Sequence, residues 1–194
     1  MKELDADQIG RLDLALEPVF KGVDQRIVQR LREEAETEEA RRALIEQAGI
    51  DDPKLIEECA QLGVTIYGLV ALRLVPLVLV AWAEDFVDPK ERLTIIEEAR
   101  KFGIREGSVA EALLDYWLRT RPSRELLDAW KRLIQIELKR LTPKSRRHFI
   151  EVTQEQMERV AKASGGKLGM GKVSKAERQM IEGLVYIMEK ASRS

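Results

Sequence analysis

Four carboxylates crowd into VAWAEDFVDPKER, residues 80–92: Glu84, Asp85, Asp88 and Glu91. All are hard oxygen donors, suited to Ca²⁺, Mg²⁺ or Mn²⁺ rather than to zinc, and they are the candidate metal ligands, with Glu177 able to join them in space. Their spacing lacks the alternating ligand pattern of an EF-hand loop. The same residues also have a purely local use. Asp88 precedes Pro89 and stands three residues before Glu91, the pattern of a capping box. In it the aspartate accepts from the orphan amides of a new helix, and the glutamate reaches back to the aspartate amide. Proline suits the first helical position. A helix start is a poor seat for a cation, because its dipole end is already positive. The cap accounts for Asp88 and Glu91 and leaves Glu84 and Asp85 without a structural role.

Other chemistry is scarce. One cysteine, Cys59, cannot build a disulfide framework, which fits a reducing, cytoplasmic compartment, and its place in LIEECAQLG reads as a small buried residue. One histidine, His148, excludes His-rich zinc sites and lies in the basic run RRHF, so an enzyme here would have to rely on carboxylates. The segment LKRLTPKSRRHF gathers Lys139, Arg140, Lys144, Arg146 and Arg147, enough to touch phosphates or acidic headgroups. Aromatic residues do not interleave with these charges, so base stacking is unsupported and no nucleic acid is expected. The loop from Gly166 to Lys172 spells G-x-x-x-x-G-K, yet Val173 stands where a phosphate-binding loop needs Ser or Thr, and a helix rather than a strand precedes it.

The chain of 194 residues is long enough for one sizeable core. Its 33 basic and 34 acidic residues nearly cancel, so no global field draws it to an anionic partner. Strand alternation is absent and helical punctuation is dense. A helix is expected in DADQIGRLDLALEPVF, stopped near Pro18, followed by a long charged helix over 24–48 that includes the acidic run 33–42. Asp52-Pro53 opens the next, which Gly63 interrupts. The apolar stretch 66–83 is short for a membrane span and carries Arg73 and Pro76. It is expected to be a helix buried on nearly all sides, with no transmembrane segment. Further helices follow over 89–102, from Ser108, over 123–141, over 143–163 and over 174–191. Trp82, Trp117 and Trp130 are expected as core anchors. The fold class is all-α with about eight helices, divided as an N-terminal helical extension, 1–62, and a helical domain, 63–194.

The opening stretch recurs. VAWAEDF-VDPKERLTI at 80–95 is matched by VAKASGGKLGMGKVSKAERQMI at 160–181: Val-Ala-x-Ala, a loop, then Val, a capping residue and Glu-Arg. In the second copy Ser174 and Glu177 take the places of Asp88 and Glu91. Together with LVPLVLV, GIREGS, LLDYWL and LLDAWKRLI, these segments resemble the TerB-like family, named after a bacterial tellurite-resistance protein and sharing its helical fold with a region of some J-domain co-chaperones. The resemblance covers roughly residues 64–194. It implies an all-helical core of two pseudo-symmetric halves and an acidic helix–turn–helix of the form Ala-Asp-Gly-x-Val/Ile-Asp-x-x-Glu that binds divalent metal. Here that motif reads from Ala83 to Glu91, with Glu84 for the aspartate and Asp85 for the glycine. The glycine would supply a positive-φ turn that Asp85 must adopt under strain. The second copy has Ser164-Gly165-Gly166 in place of acids.

A non-enzymatic, cytoplasmic binding module is therefore expected, acting in a bacterial stress response through a protein partner or a peripheral membrane contact. The alternative is a divalent-cation sensor built on Glu84, Asp85, Asp88 and Glu91. A carboxylate, metal-dependent hydrolase ranks third, since no base, nucleophile or oxyanion donor accompanies the acids.

Overall fold

A computed structural model describes residues 25–164 and 173–193. The helix expected before Pro18 and the glycine-rich loop from Gly165 to Lys172 lie outside the described residues. Within them the chain is all-helical, with no strand. The helices are α1 (25–35), α2 (Glu38–Ala48), α3 (Pro53–Leu62), α4 (Leu69–Leu72), α5 (Val75–Ala81), α6 (Pro89–Lys101), α7 (Val109–Arg119), α8 (Arg124–Arg140), α9 (Pro143–Ala163) and α10 (Lys175–Arg193).

Two expected helices are each divided, for local reasons. The helix expected over 24–48 breaks at Thr37, whose hydroxyl accepts from the Ala40 amide and starts α2 afresh. The apolar stretch expected as one helix becomes α4 and α5. Pro76 has no amide to donate, and its ring would clash with the carbonyl one turn back, so a new helix begins with Pro76 in its first turn. The break lets Arg73 leave the core and pair with Glu137 at 2.7 Å.

The apolar residues around that break are the centre of the molecule. Leu72, Leu74, Val75, Leu77, Val78 and Val80 are all essentially inaccessible. α5 is enclosed by α6, α8, α9 and α10, while α3 lies along α8. Each such side chain contributes about 1.5–3 kcal/mol through burial, which outweighs the poor intrinsic helix preference of a valine-rich segment. No helix among the described residues is long and apolar enough to cross a membrane.

Residues from 25–62 share this core: Leu31, Leu44, Ile50, Leu55 and Cys59 belong to the same apolar cluster as Leu77, Trp130 and Met188. Two contacts fasten them. Gly63 ends α3 at φ +73°, and a β-carbon there would sit 3.0 Å from the Leu31 β-carbon, so only glycine lets α1 pass this close. Arg140, at the end of α8, donates to the carbonyls of Ala48 and Gly49 at 2.9 and 2.5 Å, satisfying the exposed end of α2.

Candidate functional site

The acidic turn is built from the end of α5. Trp82 closes that helix and donates its indole N–H to the Trp117 carbonyl at 2.9 Å, tying the turn to α7. The chain then doubles back, the Asp85 amide donating to the Trp82 carbonyl. Asp85 stands at φ +69°, the one non-glycine with a positive φ among the described residues. Its carboxylate points outward to Arg121, at 2.8 Å, in a pair so exposed that it is worth at most about 1 kcal/mol. Glu84 is exposed as well. Asp88 caps α6, accepting from the Lys90 amide at 2.8 Å, and Glu91 returns to accept from the Asp88 amide at 3.0 Å.

The four acids are thus spread rather than gathered. Glu84 and Asp85 face solvent, Asp88 is held by backbone, and Glu91 turns inward. Among the described residues no group of three or more His, Cys, Asp or Glu side chains is placed to hold a metal ion.

What Glu91 turns towards is Glu177. The second copy of the repeat also closes as a capping box: the Ser174 hydroxyl accepts from the Glu177 amide at 3.2 Å, and Glu177 accepts from the Ser174 amide at 2.5 Å. Both glutamates are buried, 4% and 2% exposed, and their carboxyls lie close enough to act on each other. Burial pushes the Glu91 carboxyl up to about 8. The Asp88 amide pulls the other way, and the Glu177 carboxyl adds to the rise. Two buried carboxyls side by side disfavour a second negative charge, so the pair favours the protonated form of Glu91.

A second buried acid lies two turns further along α6. Glu98 is 2% exposed and accepts from Gln156 (2.9 Å), Arg159 (3.2 Å) and Lys101 (2.8 Å). Its burial alone would raise the carboxyl, but these donors outweigh it and hold Glu98 below the ordinary carboxylate range. It clamps α6 to α9. Sequence reasoning missed it, although the signal was present: Glu91, Ile95 and Glu98 follow helical spacing, so an acid sits on the apolar stripe and must have a partner inside.

The remaining candidates settle plainly. Burial, with Glu58 nearby, pushes the Cys59 thiol up to about 12, which makes it inert. His148 is exposed within the basic run, where Arg140 and Arg146 are spent on main-chain carbonyls at Ala48, Gly49, Leu141 and Ser192. Trp117 and Trp130 are core anchors, and Trp82 is half-buried.

Beside the acidic turn runs a feature no motif announced, an open apolar groove of about 410 Å³ between α5, α8 and α10. Leu79, Ala83, Leu127, Met180, Leu184 and Ile187 line it, together with Gly183. Glycine in mid-helix is destabilising by roughly 0.5–1 kcal/mol relative to alanine. A β-carbon on Gly183 would meet nothing within 4 Å, so no neighbour among the described residues requires it. The exposed acids Glu84 and Glu182 adjoin Ala83 and Gly183 in sequence, and neither is in an ion pair among the described residues. Compared with known proteins, the chain matches no family model, no curated protein and no solved structure.

Proposed function

We propose that this chain is a non-enzymatic, TerB-like helical binding module that holds an amphipathic helix of a protein partner in the groove of α5, α8 and α10. Gly183 carries this reading. It weakens α10 without serving any contact among the described residues, and it leaves the helix backbone open in an apolar groove, where a partner's side chains can approach closely. The rim chemistry selects the partner: Glu84 and Glu182 favour a helix with Lys or Arg flanking its apolar face. They disfavour an anionic membrane, whose surface would be repelled. The paired capping boxes support the TerB-like part of the proposal. A role in a bacterial stress response and a cytoplasmic location follow from that resemblance.

The test is fluorescence anisotropy with a labelled helical peptide bearing leucine at i, i+4 and i+7 and lysine on both flanks. Saturable binding to the native chain, lost in Gly183→Leu at a melting temperature no lower than the native one and weakened in Glu84→Lys/Glu182→Lys, is expected. Equal binding to native and Gly183→Leu chains would refute the groove. Flotation with phosphatidylserine vesicles in place of peptide binding would make it a membrane module.

A second reading, the divalent-cation sensor, has one observation in its favour: the Glu91–Glu177 pair. A cation replacing the Glu91 proton would be held by these two carboxylates and water, the sparse coordination that Mg²⁺ accepts. Asp88 stays with its backbone amide and Asp85 with Arg121 in this arrangement, so the fuller four-carboxylate cage does not fit the turn as folded.

A further inference from the structure

A second cleft, of about 380 Å³, lies between α6, α7 and the first turn of α1. Ile96, Ala99, Ile104, Ala112 and Leu118 give it an apolar lining, and Val28 closes one wall. Ile27 stands at its lip, 42% exposed. We propose that this cleft is occupied in cis by the segment just before α1, residues 9–20, laid in with its apolar face down.

Position and pattern converge on that segment. The described chain begins at Gln25, two residues before Ile27 at the lip, so the segment is covalently tethered close to the cleft. The five residues from Phe20 to Gln25 can span up to about 17 Å, enough to set the segment down inside rather than beyond it. Ile9, Leu12 and Leu16 recur at helical spacing before Pro18, and Val19 and Phe20 add apolar bulk next to the lip. A helix of this length is marginal in water by itself, so its apolar stripe needs a surface.

Two experiments on the full-length chain decide it. In the first, Leu16→Cys is combined with Ala112→Cys and oxidised at low protein concentration; the buried Cys59 stays silent. An intramolecular disulfide is expected, absent when Leu14→Cys, on the other face, replaces Leu16→Cys. Crosslinked dimers alone would assign the cleft to a second copy and overturn the proposal. In the second, Leu12→Asp/Leu16→Asp is expected to raise dye binding to apolar surface several-fold and to quicken amide exchange in α6 and α7. A synthetic peptide of residues 5–22 should reverse both changes. Unchanged dye binding and exchange would show that the segment does not cover the cleft.

Discussion

The carboxyl of Glu91 meets the carboxyl of Glu177 in the interior, so that the two capping boxes of the chain touch through their glutamates. Each glutamate also accepts a main-chain amide from its own cap, Asp88 and Ser174 respectively. Their meeting joins the start of α6 to the start of α10. Local helix chemistry and tertiary assembly therefore depend on the same two side chains.

The pair predicts a stability that falls with pH. The Glu91 carboxyl sits near 8 in the folded chain against about 4.5 when unfolded, so the folded state binds more protons between these values. Its contribution is complete below pH 4.5, is lost progressively as pH rises through 8, and then levels off. Glu91→Gln keeps the acceptor for the Asp88 amide and removes the charge. It should change the melting temperature little at pH 5 and raise it by several degrees at pH 9. A native melting curve that runs parallel to that of Glu91→Gln across this range would show that Glu91 holds no such proton.

Glu98 predicts the opposite slope on the same helix. Its carboxyl is held below the ordinary value, so its contribution is present above pH 4.5 and lost as pH falls below it. Glu98→Ala should destabilise by about 1–3 kcal/mol at pH 7 in urea melts, because Gln156 loses a buried acceptor. The difference from the native chain should shrink towards pH 3.

Asp88 separates cap from ligand. Asp88→Ser should be nearly silent and Asp88→Ala should cost about 1 kcal/mol, whatever ions are present. Thermal melting of chelator-treated protein with and without millimolar Ca²⁺, Mg²⁺ or Mn²⁺ checks this. A midpoint rise in the native chain that vanishes in Glu91→Gln would instead promote the cation-sensor reading.

Asp85 should tolerate Asn and reject a β-branched residue. At φ +69° an Asp or Asn side chain is accepted with modest strain, whereas Asp85→Val should lose about 1–2 kcal/mol. The exposed pair with Arg121 adds little, so Arg121→Ala should be close to neutral in the same urea melts.

Gly183 should show stability and binding moving in opposite directions. Gly183→Ala should stabilise α10 by about 0.5–1 kcal/mol in thermal melts while weakening the lysine-flanked peptide. A gain in stability with unchanged peptide affinity would remove the glycine from the binding surface.

Much of this was legible in the sequence because it is local. Capping boxes, prolines at helix starts and the left-handed position of Asp85 are decided by residues within one turn of each other. The pattern Asp88-Pro89-x-Glu91 therefore told the same story in sequence and in structure. The divisions at Thr37 and Pro76 were equally local, and they were obscured by hydrophobic periodicity that runs through both breaks. The meeting of Glu91 with Glu177 and the clamp of Glu98 by Gln156 and Arg159 depend on which helix lies against which. That is chosen by the burial of the Leu72–Val80 core, whose apolar residues carry no directional signal. So the sequence by itself determined the helices and their caps. Only the tertiary structure decided that two capping glutamates meet in the interior and that Gly183 opens onto a groove, because burial and proximity across the core belong to no single helix.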